Sequence, residues 1–306
     1  MTHVAVLMGG WSSEREISLV SGRAVARALE AEGLQVTAVD VDRNIAVTLA
    51  ELKPDVAFNA LHGTWGEDGC VQGILETLEI PYTHSGVMAS AVCMDKEMTN
   101  RLCAQAGIRV PDGRVVKSET LFEGDPMPRP YVVKPVAEGS SVGVVIVTEE
   151  TNAGSPISST AEGPWTHCEE LLVEQFIPGR ELTVSVMGGR ALAVTELRPR
   201  SGFYDYEAKY TEGLTEHLLP APVEDDVAEA AKAAALKAHE LLKCRGVTRS
   251  DFRFDDTKGV DGLYFLEINT QPGFTPLSLV PEQAAYTGMD FRSLCRWIVE
   301  DASCRR

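Results

Sequence analysis

Several familiar signatures are missing from this chain of 306 residues. No apolar run approaches the roughly 20 residues that a membrane-crossing helix needs. The opening "MTHVAVLMGG" carries no basic segment ahead of an apolar core, so no secretory leader is read there and a cytoplasmic chain is expected. G-x-x-x-x-G-K-[ST] does not occur, and "GGWSSERE" lacks the third glycine of a dinucleotide fingerprint, which sets aside two common phosphate-binding loops. The seven cysteines are odd in number, scattered and without C-x-x-C, which excludes a disulfide framework or a zinc site and suggests reduced, packed thiols. Positive charge is scarce: 28 Lys and Arg against 45 Asp and Glu leave a formal net charge of -17. A general nucleic-acid binder would need a basic face, so any anionic ligand must be met by local lysines, arginines and backbone amides.

What is present is ordinary in bulk. The 44% hydrophobic and 24% charged residues suit a soluble globular chain, long enough for two or three domains. The N-terminal third alternates in period. "HVAVLM", "QVTAVDV" and "DVAFNAL" are short apolar strands, "SEREISLVSGRAVARALEAEG" is a helix closed by Gly33, and "EDGCVQGILETLEI" repeats the helical pattern. That is βαβαβ, the start of a doubly wound parallel sheet, whose ligands sit beyond the carboxyl ends of the strands. "GGWSSERE", "NALHGTWGEDG" and "THSG" fall at those ends. Each also has a plain reading. Gly9 and Gly10 suit a tight turn with Glu14 at a helix N-terminus, and His62 suits a satisfied loop histidine.

The middle of the chain changes character. "SGVMASAVCMDKEMTNRLCAQAG" carries one helical pattern ending at Gly107, "IRVPDGRVV" turns into strand, and the Pro-rich "EGDPMPRP" leads to "YVVKPVAEGSSVGVVIV". Lys134 lies within a β-branched strand, where an ammonium needs an anion beside it. The loop of Gly139, Ser140, Ser141 and Gly143 is either a plain hairpin turn or a cradle of amides and hydroxyls for phosphate. "ELLVEQFIPGRELTVSVMGGRALAVTELRP" reads as strands and turns, with "MGGR" a hairpin connection. "EDDVAEAAKAAALKAHELLKC" is a scaffold helix, capped by Asp225 or Asp226, with Val227, Ala230, Ala231, Ala234, Ala238, Leu241 and Leu242 on its apolar face.

Two further strands carry polar residues in alternation. "GVTRSDFRF" sets Arg249, Asp251 and Arg253 on one face. After the turn "DDTKGVDG", "GLYFLEIN" presents Glu267 and Asn269 together, with Leu266 and Ile268 toward the core. Alone, such a pair reads more simply as a solvated strand end. If the two strands pair antiparallel, however, Asp251 joins Glu267 and Asn269, and carboxylates that close require a cation between them. One or two carboxylates with phosphate oxygens is the inventory of Mg²⁺. Arg249 would share the face and meet developing negative charge. With Lys134 and the Gly-Ser loop opposite, the physical picture is a nucleotide held between two sheets.

The order of "GGWSSEREISLVSG", "LHGTWGEDG", "MDKEMTNRL", "VVKPVAEGSSVGV", "FYDYEAKY", "TRSDFRF" and "FLEINTQPGFTPLSLVP" resembles the D-alanine:D-alanine ligase family of the ATP-grasp superfamily over essentially the whole chain. The resemblance implies an α/β and α+β architecture: an N-terminal Rossmann-like doubly wound sheet at 1–84, a central ATP-grasp subdomain at 85–176, and a C-terminal ATP-grasp subdomain with a lid loop at 177–306. It implies ATP-dependent joining of two D-alanine molecules through an acyl phosphate, for peptidoglycan precursor synthesis. It further implies two Mg²⁺ ions, with Mn²⁺ as a substitute, in a cytoplasmic homodimer without nucleic-acid or membrane partners.

The resemblance also implies roles. Asp251, Glu267 and Asn269 would hold the metal on the β- and γ-phosphates of ATP. Lys96, Lys134, Lys209 and Ser141 would contact the nucleotide phosphates, and Glu174 and Glu181 the adenine and ribose. Glu14 would receive the ammonium of the first D-alanine, with His62 close by, while Ser278 and Leu279 would bind the second substrate. Arg249 and the amide of Gly273 would stabilise the oxyanion. Ser140 and Tyr210 would link a mobile loop to Glu14, under a lid "RPRSGFYDYEAKYTEGLTEH" that excludes water. A tyrosine at position 210, where ester-forming relatives carry phenylalanine, implies D-alanine rather than D-lactate as second substrate. "TNAGSPISST" departs from the regular helix of the family and is expected to be an irregular surface connection.

Two other readings share parts of this pattern. Another ATP-grasp carboxylate-amine ligase would share the nucleotide residues but not "GGWSSERE" and "SLV" together. A catalytically silent nucleotide binder is the second, against which stands the presence of every metal ligand and phosphate lysine of the pattern.

Overall fold

The computed structural model describes residues 1–137, 139, 143–149, 168–200, 213–275 and 278–305. Strand β1 (His3–Gly9) is buried from its second residue onward, as a central strand covered on both faces must be. It pairs in parallel with β2 (Gln35–Val41) and β3 (Val56–Asn59), in the order β2-β1-β3. Helix α1 (Arg15–Ala31) makes the first crossover. The second crossover is α2 (Ile45–Leu52), which the sequence reading left unassigned. Only Ile45 and Leu49 of its eight residues are buried, so the apolar period is barely expressed. Helix α3 (Cys70–Thr77) follows the third strand, and the βαβαβ expectation is met.

The pattern read as one helix up to Gly107 is two, α4 (Val87–Met94) and α5 (Lys96–Gln105). Asp95 breaks them: its backbone is extended (φ -84, ψ 104), and its side chain accepts the Met98 N–H at 2.9 Å, capping α5. An N-cap inside a continuous helical period is invisible to periodicity, because both helices present compatible faces. The break places Lys96 in the first turn of α5, close to the last strand of the chain.

Strands β4 (Gly113–Lys117), β5 (Tyr131–Pro135), β6 (Val145–Val147) and β7 (Glu170–Gln175) form an antiparallel sheet in the order β4-β7-β5-β6. Leu121, on the short helix α6 (Thr120–Glu123), packs with Tyr131, Val133, Val147, Leu171 and Val173 beneath it. β5 and β6 are the expected hairpin. The irregular connection expected at 151–160 lies outside the described residues.

The larger sheet runs β10-β9-β8-β11-β12, built from β8 (Arg180–Met187), β9 (Arg190–Pro199), β10 (Thr215–Leu218), β11 (Val247–Phe254) and β12 (Leu263–Asn269). Gly188 and Gly189, at φ 55 and 75, make the tight β8-β9 turn that needs two left-handed residues. Helix α7 (Asp225–Leu241) covers one face through Val227, Ala231, Ala235 and Ala238. Two details of this helix differ from expectation. Leu241 is 37% exposed and Ala235 takes its place in the buried stripe, since the stripe continues from Ala238 to Leu242 rather than to Leu241. The cap position is Glu224, without a side-chain cap bond, while Asp225 and Asp226 sit in the first turn. Helices α8 (Leu279–Tyr286) and α9 (Phe291–Glu300) return to the first domain, where Val280, Ala284, Leu294 and Ile298 share a core with Val4, Val6 and Phe58.

The β11-β12 pairing is antiparallel, as expected, but bulged. Asp251 opposes Glu267, and the next pair is Phe252 with Phe265, so Leu266 is the extra residue. Leu266 is therefore only half-buried, and the inward positions are Phe265 and Ile268, at 1% and 3% exposure. No described helix is long and apolar enough to cross a membrane.

The Asp95 cap yields a prediction. Asp95→Ala should lower the unfolding free energy by about 1 kcal/mol, the usual loss for an N-cap, measured as a lower urea midpoint. An unchanged midpoint would contradict the capping role.

Candidate active site

The first-domain loops converge through buried hydroxyls. Gly9 and Gly10 both adopt left-handed φ (78 and 76), turning the chain out of β1, and Glu14 occupies the N-cap position of α1 without using its carboxylate as a cap. That carboxylate is buried between two glycines: a side-chain carbon at Gly63 would lie 2.7 Å from Glu14 Oε2, and one at Gly139 3.0 Å from it. Gly139 thus reaches Glu14 across the domains. Ser12 Oγ donates to the His62 carbonyl (2.7 Å), and Ser18 Oγ donates to the Ala60 carbonyl (2.7 Å), tying the first loop and helix to the third strand's exit.

His62 is buried and fixed on both ring nitrogens. Nδ1 lies 3.1 Å from the Gln271 carbonyl and 3.4 Å from Glu67 Oε1, and Nε2 lies 3.1 Å from Ser21 Oγ. A carbonyl can only accept, so Nδ1 carries a proton. Burial pulls the His62 pKa down, but Glu67, Glu14 and the Gln271 carbonyl together hold it above its ordinary value. Burial pushes Glu67 up to about 7, with Glu14 adding to the rise and His62 opposing it. The pair therefore retains a proton toward neutral pH. Glu67 and Ser21 escaped the sequence reading. Their only signals were an acid between the glycines of "GTWGEDG" and a serine three residues after Ser18 on an otherwise apolar helix face.

On the smaller sheet, the anion that Lys134 needs is Glu174. Nζ and Oε2 are 2.6 Å apart with both side chains buried, and Asn100 Nδ2 donates to the other oxygen of Glu174 at 2.8 Å. Glu174 is next to last in β7 and Glu181 second in β8, so two acids close in sequence stand on different sheets. Glu181 opposes Arg253 in register, 3.7 Å from its guanidinium. Arg253 also donates to the carbonyls of Ile177 (3.1 Å) and Gly179 (2.8 Å), pinning the connection between the sheets.

Asp251, Glu267 and Asn269 are brought together on one face by the bulged register, with Arg249 opposite Asn269. The cation expected between the carboxylates is supplied by side chains. Arg249 donates to both oxygens of Asp251 (Nε to Oδ1, 2.9 Å; Nη2 to Oδ2, 2.8 Å), and Lys96 Nζ lies 3.6 Å from Glu267 Oε2. Thr183 Oγ1 donates to Asp251 Oδ1 at 2.7 Å, and the Gln271 N–H donates to Asn269 Oδ1 at 2.9 Å. Arg249 is thus a partner of Asp251 here, rather than an isolated donor awaiting negative charge. The donor set, two carboxylates and one amide oxygen flanked by two cations, fits a hard divalent ion bound with phosphate.

Gly273 and Ser278 adjoin: a side-chain carbon at Gly273 would sit 3.0 Å from Ser278 Oγ. That hydroxyl accepts the Thr275 N–H at 2.9 Å, and Leu279 packs with Leu197. Ser140, Ser141, Lys209 and Tyr210 lie outside the described residues. So do 201–212 of the expected lid, but its flanks are described and pair with each other, Thr215 opposite Pro199.

A parallel α/β domain followed by two antiparallel sheets, with a buried lysine on one and clustered oxygen donors on the other, defines the ATP-grasp class of folds. Family models agree. "D-ala D-ala ligase C-terminus" matches residues 102–300, and "D-ala D-ala ligase N-terminus" matches 3–51 and 44–85. A D-alanine--D-alanine ligase of Novosphingobium aromaticivorans is 60% identical over 300 residues, 98% of this chain and 96% of that protein. One of Methylorubrum populi is 56% identical over 306 residues, 99% of both chains. Crystal structures of D-alanine--D-alanine ligase from Bacillus anthracis superpose with TM-scores of 0.83 (31% identity) and, complexed with ATP, 0.81 (28% identity), each covering 98% of this chain and 97% of the other. The chain belongs to the D-alanine--D-alanine ligase family.

The coupled pair has a measurable consequence. In Glu67→Gln the His62 pKa should fall, because a charge and a hydrogen bond that raise it are removed. The stability profile should change as well. A carboxyl raised from 4.5 to about 7 in the fold stabilises fully below its unfolded value and loses that contribution as pH rises through about 7. The variant should therefore lose less stability than wild type across that window. Imidazole proton NMR and urea unfolding across the same pH range test both, and an unmoved His62 titration would contradict the coupling.

Proposed function

We propose that this protein joins two D-alanine molecules into D-alanyl-D-alanine, with ATP as the phosphoryl donor, for peptidoglycan precursor synthesis. The observation that carries the reading is the convergence of Asp251, Glu267 and Asn269 on one sheet face with Arg249 and Lys96 beside them. A carboxylate resists nucleophilic attack, so the first D-alanine is phosphorylated to an acyl phosphate. The amine of the second then attacks that carbonyl, and inorganic phosphate departs.

In this reading Glu14 binds the ammonium of the first D-alanine, oriented by the His62–Glu67 pair. Lys96 and Lys134, with Ser141 and Lys209, face the phosphates, and Glu174 and Glu181 face the adenine and ribose. Asp251, Glu267 and Asn269 hold Mg²⁺, which when bound would neutralise phosphate charge. Arg249 and the Gly273 N–H would stabilise the tetrahedral oxyanion, and Ser278 with Leu279 would bind the carboxylate of the second D-alanine. Ser140 and Tyr210 close the loop over Glu14. The protein's contribution is chiefly positioning, charge stabilisation and exclusion of water. Units 1–84, 85–176 and 177–306 are the accompanying domain division, supported by the confinement of each sheet to one of them. A cytoplasmic homodimer is the matching expectation, to be checked by fractionation and sedimentation.

Phosphate release on mixing the protein with ATP, Mg²⁺ and D-alanine tests the reading directly. A silent binder releases none, and a ligase for other amino acids stays idle until given its own substrate. Glu267→Gln is nearly isosteric and should abolish turnover while leaving the circular dichroism spectrum unchanged. Near-normal turnover at saturating Mg²⁺ would remove Glu267 from the metal site. Tyr210→Phe should keep the fold and gain measurable D-lactate use, and an unchanged product ratio would sink the role given to its hydroxyl.

A further inference from the structure

Helix α8 has only eight residues, too few to hold itself in water, so its position is set by what it packs against. Val280 and Ala284 face the first-domain core. Gln283 points into the larger sheet and is fully buried. There the β8-β9 register steps from Val184 opposite Val194 to Val186 opposite Ala191, which leaves Ser185 without a partner on β9 while it still opposes Arg249 of β11. The Gln283 amide occupies this irregularity. The Ser185 N–H donates to Oε1 (2.9 Å), and Nε2 donates to the Thr183 carbonyl (3.2 Å) and to Thr195 Oγ1 (3.0 Å). Thr183, Ser185 and Thr195 are themselves fully buried, so water has no access to replace a lost partner.

Both ends of this tether lead to the site. Thr183 Oγ1 donates to Asp251 Oδ1 at 2.7 Å. In the other direction, little more than one helical turn separates Gln283 from Ser278 and from Leu279, which packs on Leu197 of β9. We infer that Gln283 is a positioning residue that holds the second amino acid's subsite, at Ser278 and Leu279, in fixed relation to Asp251. The inference rests on the roles proposed above for those three residues. It goes beyond them in assigning the alignment of acceptor subsite and metal-ligand strand to one side-chain amide.

Gln283→Met keeps the length of the side chain and removes all three hydrogen bonds. Steady-state kinetics over a wide D-alanine range separate the Michaelis constants of the two D-alanine sites. The second should rise about tenfold, the scale of a lost buried hydrogen bond, while those for the first D-alanine and for ATP stay within about twofold. The Ser185 amide should also exchange hydrogen faster, together with those of 279–286. Gln283→Glu, protonated in so dry a place, keeps the acceptor for the Ser185 N–H and one of the two donated bonds; it should fall between wild type and Gln283→Met, and it decides the question if Gln283→Met does not fold. A fall in kcat with all three Michaelis constants unchanged means a merely structural residue and overturns the inference, as does unchanged kinetics. If wild type makes no D-alanyl-D-alanine, the functional reading has failed. The exchange measurement then decides the tether alone, and unchanged protection of Ser185 overturns it.

Discussion

The site depends on one local irregularity, the bulge that makes Leu266 the extra residue of β12. In a regular strand Glu267 and Asn269 would share the face of Leu263 and Phe265, which is the apolar core beneath α7. One inserted residue reverses that parity. Phe265 and Ile268 stay inside, and the two polar side chains emerge on the face that carries Arg249 and Asp251. Opposing Asp251 to Glu267 brings like charges together in a partly buried place, and the fold answers with a bidentate Arg249 and with Lys96 from the first turn of α5. The Asp95 cap matters for the same reason, because it starts the helix that delivers Lys96.

Charge is handled locally throughout. The chain as a whole carries -17, yet the described site residues include Lys96, Lys134 and Arg249, each held against a carboxylate. Paired cations of this kind stay ordered without ligand and can exchange partners when a more highly charged anion arrives. Lys134 with Glu174 is the most buried of these pairs, and Asn100 gives the carboxylate a second donor. Burying a single charge there would be unfavourable by several kcal/mol.

Neutral groups carry the coupling between domains. Ser21 Oγ accepts the Phe274 N–H from the far domain, and the Gln271 carbonyl holds the His62 imidazole while its N–H holds Asn269. The His62 loop and strand β12 therefore meet in one residue. Helix α8 makes a second bridge, with its apolar side against β1 and β3 and Gln283 in the sheet.

Much of this was legible in the sequence by itself. The apolar run of "HVAVLM", the alternation in "TRSDFRF", the hairpins at "GSSVG" and "MGGR", and the placement of Glu14 and His62 after parallel strands follow from side-chain periods and turn chemistry, which are local. The pairing of Asp251 with Glu267 also followed, because adjacent strands joined by a short turn have few other partners. What escaped was whatever depends on a neighbour distant in sequence. Nothing in "YFLEIN" marks Leu266 as the bulge, since that is decided by the strand opposite. Lys134 announced that it needed an anion, but only the β5-β7 register chose Glu174. Glu67, Ser21 and Gln283 look like ordinary polar residues until packing removes water from around them. Burial, the property that turns a hydrogen bond into a constraint, belongs to the folded chain alone.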